Sequence, residues 1–208
     1  MAGTLRFAHP TIANDASRRV GKAQRAHQKF PRVIKMSKYR RVYIPGGTYF
    51  FTVVTYNRKP ILCTEKAIQR LKQAFQSTKS KYPFQLEGLV VMPDHLHCIW
   101  QLPEHDHDFS KRWNMIKRHF SVGMTGEVNK RREKNIWQRR FWERVIRNED
   151  DLHNYFDYIY YNPVKHGYVN KPFDWTYSTF RRDVKRGLYS MEWGSNIEPD
   201  SIKNFNFE

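Results

Sequence analysis

Cysteine is nearly absent from this chain. Its 208 residues include only Cys63 and Cys98, too few for a disulfide framework and without the spacing of a zinc site. No apolar run reaches the length of a membrane span, and the N-terminus lacks the apolar stretch of a secretory signal. These absences predict a cytoplasmic protein with no membrane partner. Acids are also scarce, 20 against 37 Lys and Arg, for a net charge of +17. Such a surplus points to a polyanion, nucleic acid ahead of an anionic membrane surface, and a DNA partner would make the protein nucleoid-associated. What the chain does have is 39% hydrophobic and 15% aromatic residues, enough for one core with appendages.

The appendages are read at the two ends. Residues 1–35 carry +7, leaving +10 for the rest, and their few large apolar side chains predict a disordered basic extension. The stretch Gly3 to His9, read against Ala26 back to Val20, pairs in-frame codons that can be reverse complements at every step, as His9 (CAC) with Val20 (GTG). The expectation is an inverted repeat in upstream DNA, with translation starting at Met36; the alternative is a genuine arm for nucleic acid. From Met191 onward Glu192, Glu198, Asp200 and Glu208 face a single Lys203. This acidic tail, 191–208, is expected either to fold over a basic cleft or to stay disordered.

Between them, residues 36–190 read as one domain. Thr48 to Tyr56 is β-branched and aromatic, a strand after the Gly46-Gly47 turn. Thr64 to Lys81 places Ala67, Ile68, Leu71, Ala74 and Phe75 at helical spacing, with Thr64 as N-cap. Phe84 to Met92 and His95 to Leu102 are strands parted by Pro93-Asp94. Phe109 to Val122 is a helix with Trp113, Ile116 and Phe120 inward and Lys111, Arg112, Lys117 and Arg118 exposed. Phe141 to Arg147 is a fourth strand, Asp150 to Tyr161 a helix ended by Pro163, and Ser178 to Lys185 a last helix. The β-α-β-β-α-β order predicts an α+β, ferredoxin-like antiparallel sheet with helices on one face and further C-terminal helices.

Two motifs carry chemistry. On the His95 strand, alternation points His95 and His97 to one face and Leu96 to the other. Two imidazoles so placed can hold one divalent metal; equally, they can be polar residues at the end of an edge strand. In the helix before Pro163, Leu152, Phe156 and Ile159 share a sheet-facing side, while Tyr158 and Asn162, four apart, share another. A face bearing a phenol and an amide oxygen, set against the His pair, would supply a nucleophile and a third ligand. Spacing alone leaves Tyr155, Tyr158, Tyr160 and Tyr161 open, because aromatics at helical spacing are commonly packing residues.

His-Leu-His on a strand, followed by Tyr158-Ile159-Tyr160-Tyr161-Asn162-Pro163-Val164-Lys165-His166-Gly167, resembles the HUH single-strand transposases with one catalytic tyrosine. Further stretches narrow the likeness: Tyr39-Arg40-Arg41 with Gly46-Gly47-Thr48-Tyr49-Phe50-Phe51, Val91-Met92-Pro93-Asp94-His95, Ile136 to Glu143, and Trp175 to Phe180. From Met36 to Trp193 the chain resembles the REP-associated tyrosine transposases, domesticated relatives tied to short palindromic repeats in bacterial genomes. The resemblance implies a metal-dependent single-stranded DNA endonuclease and strand transferase acting on repeat hairpins through a 5′-phosphotyrosine. It assigns the nucleophile to Tyr158 and the metal ligands to His95, His97 and Asn162, with Mg²⁺ or Mn²⁺ suiting nitrogen plus oxygen ligation. It also favours a monomer over a dimer, and gives Asp94 no role.

Basic residues interleave with aromatics, a pattern suited to phosphate contact and base stacking. The candidate DNA-binding residues are Arg40, Arg41, Lys111, Arg112, Lys117, Arg118, Arg139, Arg140, Arg181 and Arg182. The competing expectation is a non-catalytic protein that binds repeat hairpins or RNA.

Overall fold

Strand β1 spans Thr48–Val54 and is flanked by two antiparallel partners in a computed structural model that describes residues 41–129, 132, 134–195 and 198–203. On one side lies β3, His95–Gln101, in a register that sets His97 opposite Thr52. Beyond β3 lies β2, Gln85–Val91, and on the other side of β1 lies β4, Trp142–Val145. The order β2-β3-β1-β4 is that of the predicted ferredoxin-like sheet. It puts β3 in the interior of the sheet, so the edge-strand reading of the His pair does not hold.

Each face of the sheet has its own core. Tyr49, Phe51, Val53, Leu96, Cys98 and Trp100 point to the face covered by α1 (Glu65–Lys81) and α2 (Phe109–Ser121). Trp100 is the centre of that layer, stacked on Phe84 and on Trp113 at 4.4 Å in both cases. The α1 start follows its sequence signal, since the Thr64 hydroxyl accepts from the Ala67 amide. Phe50, Val90, Met92 and Ile99 point to the other face and meet Tyr155, Ile159 and Tyr160 of α3 (Glu149–Lys165). The approach is close at Gly88, where a Cβ would lie 2.7 Å from the Phe156 ring. A side chain there would have to displace the Phe156 ring.

Helix α3 corrects one expectation. It starts at an Asn148 cap with Glu149, Asp150 and Asp151 in its first turn, as the macrodipole favours. It does not stop before Pro163 but runs through it to Lys165. A proline this near the C-terminus removes only one late backbone bond, and burial of Ile159, Asn162 and Pro163 holds the turn in place. The His166 amide still reaches the Asn162 carbonyl at 3.0 Å, and Gly167 turns the chain away at φ +70°.

After α3, Tyr177 to Thr179 bonds to the free edge of β2 through Val91 N to Tyr177 O and Thr179 N to Leu89 O. Helix α4, Phe180–Lys185, follows, and α5, Asp200–Lys203, packs on α3 with Ile202 buried. The Ser201 and Tyr189 hydroxyls donate to the two oxygens of Asp157 at 2.5 and 2.7 Å. The described part of the acidic tail is therefore docked on α3. Residues 1–35, and the start at Met36, lie outside the described residues. Among the described residues no helix is long and apolar enough to cross a membrane.

Tyr160 ties α3 to α4. Its hydroxyl donates to the Asp183 carboxylate, and both groups are buried; burial, then that bond, pushes the phenol's pKa upward. Tyr160→Phe is expected to lower unfolding free energy by about 2 kcal/mol, the scale of a bond to a charged group. Urea denaturation reads it as a lower midpoint at unchanged slope.

Candidate active site

Strand alternation sends His95 and His97 to the α3 side of the sheet, while Leu96 enters the opposite core. The two rings lie 4.8 Å apart, nearly perpendicular, and both are buried. In each ring Nδ1 is engaged. His97 Nδ1 lies 2.9 Å from Thr52 Oγ1, its register partner on β1, and His95 Nδ1 lies 2.5 Å from Asp94 Oδ1. Nε2 is thus the nitrogen each ring has left for a ligand.

Helix α3 faces this pair with residues four apart. The Tyr158 ring is 5.1 Å from His97, and the His166 ring is 5.6 Å from His95. Asn162 falls between them in the same i, i+4 series along α3. It is buried, and neither its amide oxygen nor its nitrogen has a hydrogen-bond partner among the described residues. A buried amide in that state calls for a ligand. Imidazole nitrogen and amide oxygen are both ligand types that a divalent cation accepts. Among the described residues no group of three or more His, Cys, Asp and Glu gathers to hold a metal.

The electrostatics suit ligation. Burial, reinforced by His95, His166 and Arg58, holds the His97 imidazolium well below its ordinary pKa, so the ring is neutral. Burial and His95 shift His166 in the same direction. Burial alone would raise Asp94, yet its bonds to His95 and to Arg58 Nη1, the latter at 3.1 Å, prevail and hold it at about 2.

The four candidate tyrosines separate by position. Tyr155 and Tyr160 are buried in the core between α3 and the sheet. Tyr161 sits on another flank, edge-on to Trp193. Tyr158 is half-buried beside His97, with the Lys165 ammonium 5.8 Å from its ring.

The basic candidates do not form one surface. Arg112 is a correction: it is 1% exposed, and its guanidinium donates to the Asp108 and Pro83 carbonyls and to Asp106, so it has no free face for a phosphate. Lys117 is not exposed either; it donates to the Gln138 carbonyl, and burial, then Arg41, lowers it to about 8. Arg41 pairs with buried Glu143 at 3.2 Å and lies over Phe141. Arg182 is half-buried and bonded to Asp183 and the Glu87 carbonyl. Lys111, Arg118, Arg139, Arg140 and Arg181 are exposed, the first two on α2, across the sheet from the His pair. Arg40 lies outside the described residues.

Asp94, Thr52, Arg58 and His166 were missed as site residues by the sequence reading. Asp94 had one visible signal, an acid adjoining the first histidine. Thr52 needs the β1–β3 register, and His166 needs a helix that continues past Pro163.

Residues 43–160 match the family described as "Transposase IS200 like". A REP-associated tyrosine transposase of Escherichia coli K12 is 50% identical over 164 residues, which cover 78% of this chain and 93% of that protein. A Haemophilus influenzae relative is 45% identical over 168 residues, 77% of this chain and 95% of its own. The solved structure of a REP-associated tyrosine transposase bound to a REP hairpin superposes with a TM-score of 0.69 at 48% identity, covering 82% of this chain and 99% of the other.

Proposed function

As the chain belongs to the REP-associated tyrosine transposases, within the IS200-like family, we propose that it cuts and transfers single strands of palindromic-repeat DNA, with Tyr158 as nucleophile. The observation that carries this is the placement of a half-buried Tyr158 ring 5.1 Å from His97, on the helical row that also bears Asn162, whose amide has no partner among the described residues. The substrate class rests on the REP-associated relatives and on the hairpin bound by the similar structure.

The Tyr158 phenol oxygen attacks the phosphorus of a single-stranded phosphodiester. The phenol gives up its proton to solvent, the bond to the upstream 3′-oxygen breaks, that oxygen takes up a proton from solvent, and the downstream strand is left as a 5′-phosphotyrosine. The displaced 3′-hydroxyl, or that of another strand, reverses the step without an added energy source. His95, His97 and Asn162 would hold a divalent cation, which when bound supplies Lewis acidity to the phosphate oxygens. The Lys165 ammonium attracts the negative charge that develops on the phenol oxygen and on the phosphate.

The test is incubation of the full chain with a repeat-hairpin oligonucleotide carrying single-stranded flanks, in Mn²⁺ or Mg²⁺, followed by denaturing electrophoresis. A covalent protein–DNA band is expected, lost in EDTA. Hairpin binding with no band under either metal would leave a binding protein without catalysis.

Exposed and buried cations are expected to differ in binding. Arg139→Ala should flatten the dependence of log affinity on log salt by about 0.7–0.9, one phosphate contact. Arg112→Ala should leave that slope unchanged and lower unfolding free energy by about 2 kcal/mol. Equal slope changes in both variants would undo this division.

A further inference from the structure

We infer that Asp94 is a positioning residue that fixes the ligating tautomer of His95, and that the strained turn at Asn57-Arg58 holds Asp94 in place to do so. This rests on the proposed metal site and names a part of it that the ligands alone do not include.

A carboxylate offers only acceptors. With Asp94 Oδ1 2.5 Å from His95 Nδ1, the ring proton must sit on Nδ1, which leaves the Nε2 lone pair for a cation. Thr52, at 2.9 Å from His97 Nδ1, imposes no such choice, because a hydroxyl can donate or accept. Asp94 is the one engaged partner that selects a tautomer.

The chain is built to keep Asp94 there. Its carbonyl accepts from Thr55 N at 2.8 Å and Thr55 Oγ1 at 2.9 Å, and Leu62 N bonds to the Pro93 carbonyl at 2.9 Å. Its second oxygen takes Arg58 Nη1 at 3.1 Å. Arg58 reaches it from a turn in which Asn57 and Arg58 both adopt left-handed backbone, φ 52° and 50°. That region disfavours a long side chain such as arginine. The Arg58 side chain is 61% exposed, and an exposed ion pair adds little to stability. The turn is fixed by Thr55 Oγ1 to the Lys59 carbonyl at 2.8 Å and by Arg58 N to the Thr55 carbonyl at 3.1 Å, and so fixed it delivers the guanidinium to Asp94.

The experiment uses the full chain with Mn²⁺ alone as probe, its free concentration read by electron paramagnetic resonance. Asp94→Asn has nearly the same shape but can donate to Nδ1, and is expected to weaken Mn²⁺ binding by about 10–100-fold, the usual effect of removing an outer-shell partner. Long-range ¹⁵N–¹H spectra of the metal-free protein should show His95 protonated at Nδ1 in the native chain and in Asp94→Glu, and at Nε2 in Asp94→Asn. A role confined to stability would leave the tautomer untouched. Mn²⁺ affinity within threefold of native together with an unchanged His95 tautomer in Asp94→Asn overturns the inference. His95→Ala serves as the separate control: if it binds Mn²⁺ as the native chain does, the metal site itself is wrong.

Discussion

Tyr158→Phe is expected to abolish the covalent protein–DNA adduct while hairpin affinity stays within about twofold of native, since binding to DNA rests chiefly on phosphate contacts from cationic side chains. The loss in cleavage should exceed about 10³-fold, because the substitution removes the atom that forms the new bond and not a group that assists it. Neighbouring tyrosines give no substitute. Tyr155 and Tyr160 are buried between α3 and the sheet, and the Tyr160 hydroxyl is held by Asp183. Tyr161 lies against Trp193 on another flank. Quantitative filter binding in EDTA, beside a denaturing gel in Mn²⁺, separates the two effects. An adduct that survives the substitution would move the nucleophile elsewhere and strip the Tyr158–His97 pairing of its meaning.

Features of the site that depend on local period were legible in the sequence. Alternation on β3 put His95 and His97 on one face, and the four-residue spacing put Tyr158 and Asn162 on one row. What escaped depends on partners distant in the chain. Arg112 looks exposed by position on its helix, yet the Pro83 carbonyl and Asp106 close around it, and neither belongs to the helix. The end of α3 was placed too early because a proline is a local stop signal, and burial of Asn162 and Pro163 overrides it. The Arg58 contact to Asp94 has no sequence signature, since left-handed backbone at an arginine is set by the turn around it. The same override brings His166 onto the row with Tyr158 and Asn162, so the error at the helix end hid a residue of the site.

Asn162→Leu is expected to act in opposite directions with and without metal. Asn162 is 1% exposed and neither amide atom has a partner among the described residues. A buried polar group in that state costs about 1–3 kcal/mol, so an apolar side chain of similar breadth should raise stability in EDTA by about 1–2 kcal/mol. For a chain of this size that is a rise in Tm of roughly 2–8 °C. With Mn²⁺ in large excess the order reverses. The native chain gains RT ln(1 + [L]/Kd), about 2.7 kcal/mol at a hundredfold excess over Kd, whereas the variant has lost its oxygen ligand and gains little. Thermal unfolding across a Mn²⁺ titration should therefore give two curves that cross. A purely structural asparagine predicts a variant less stable at every metal concentration with an undiminished metal response, and that pattern would remove Asn162 from the ligand set. The crossing, if seen, identifies the unpartnered amide as a group kept at a cost in stability for the metal it binds.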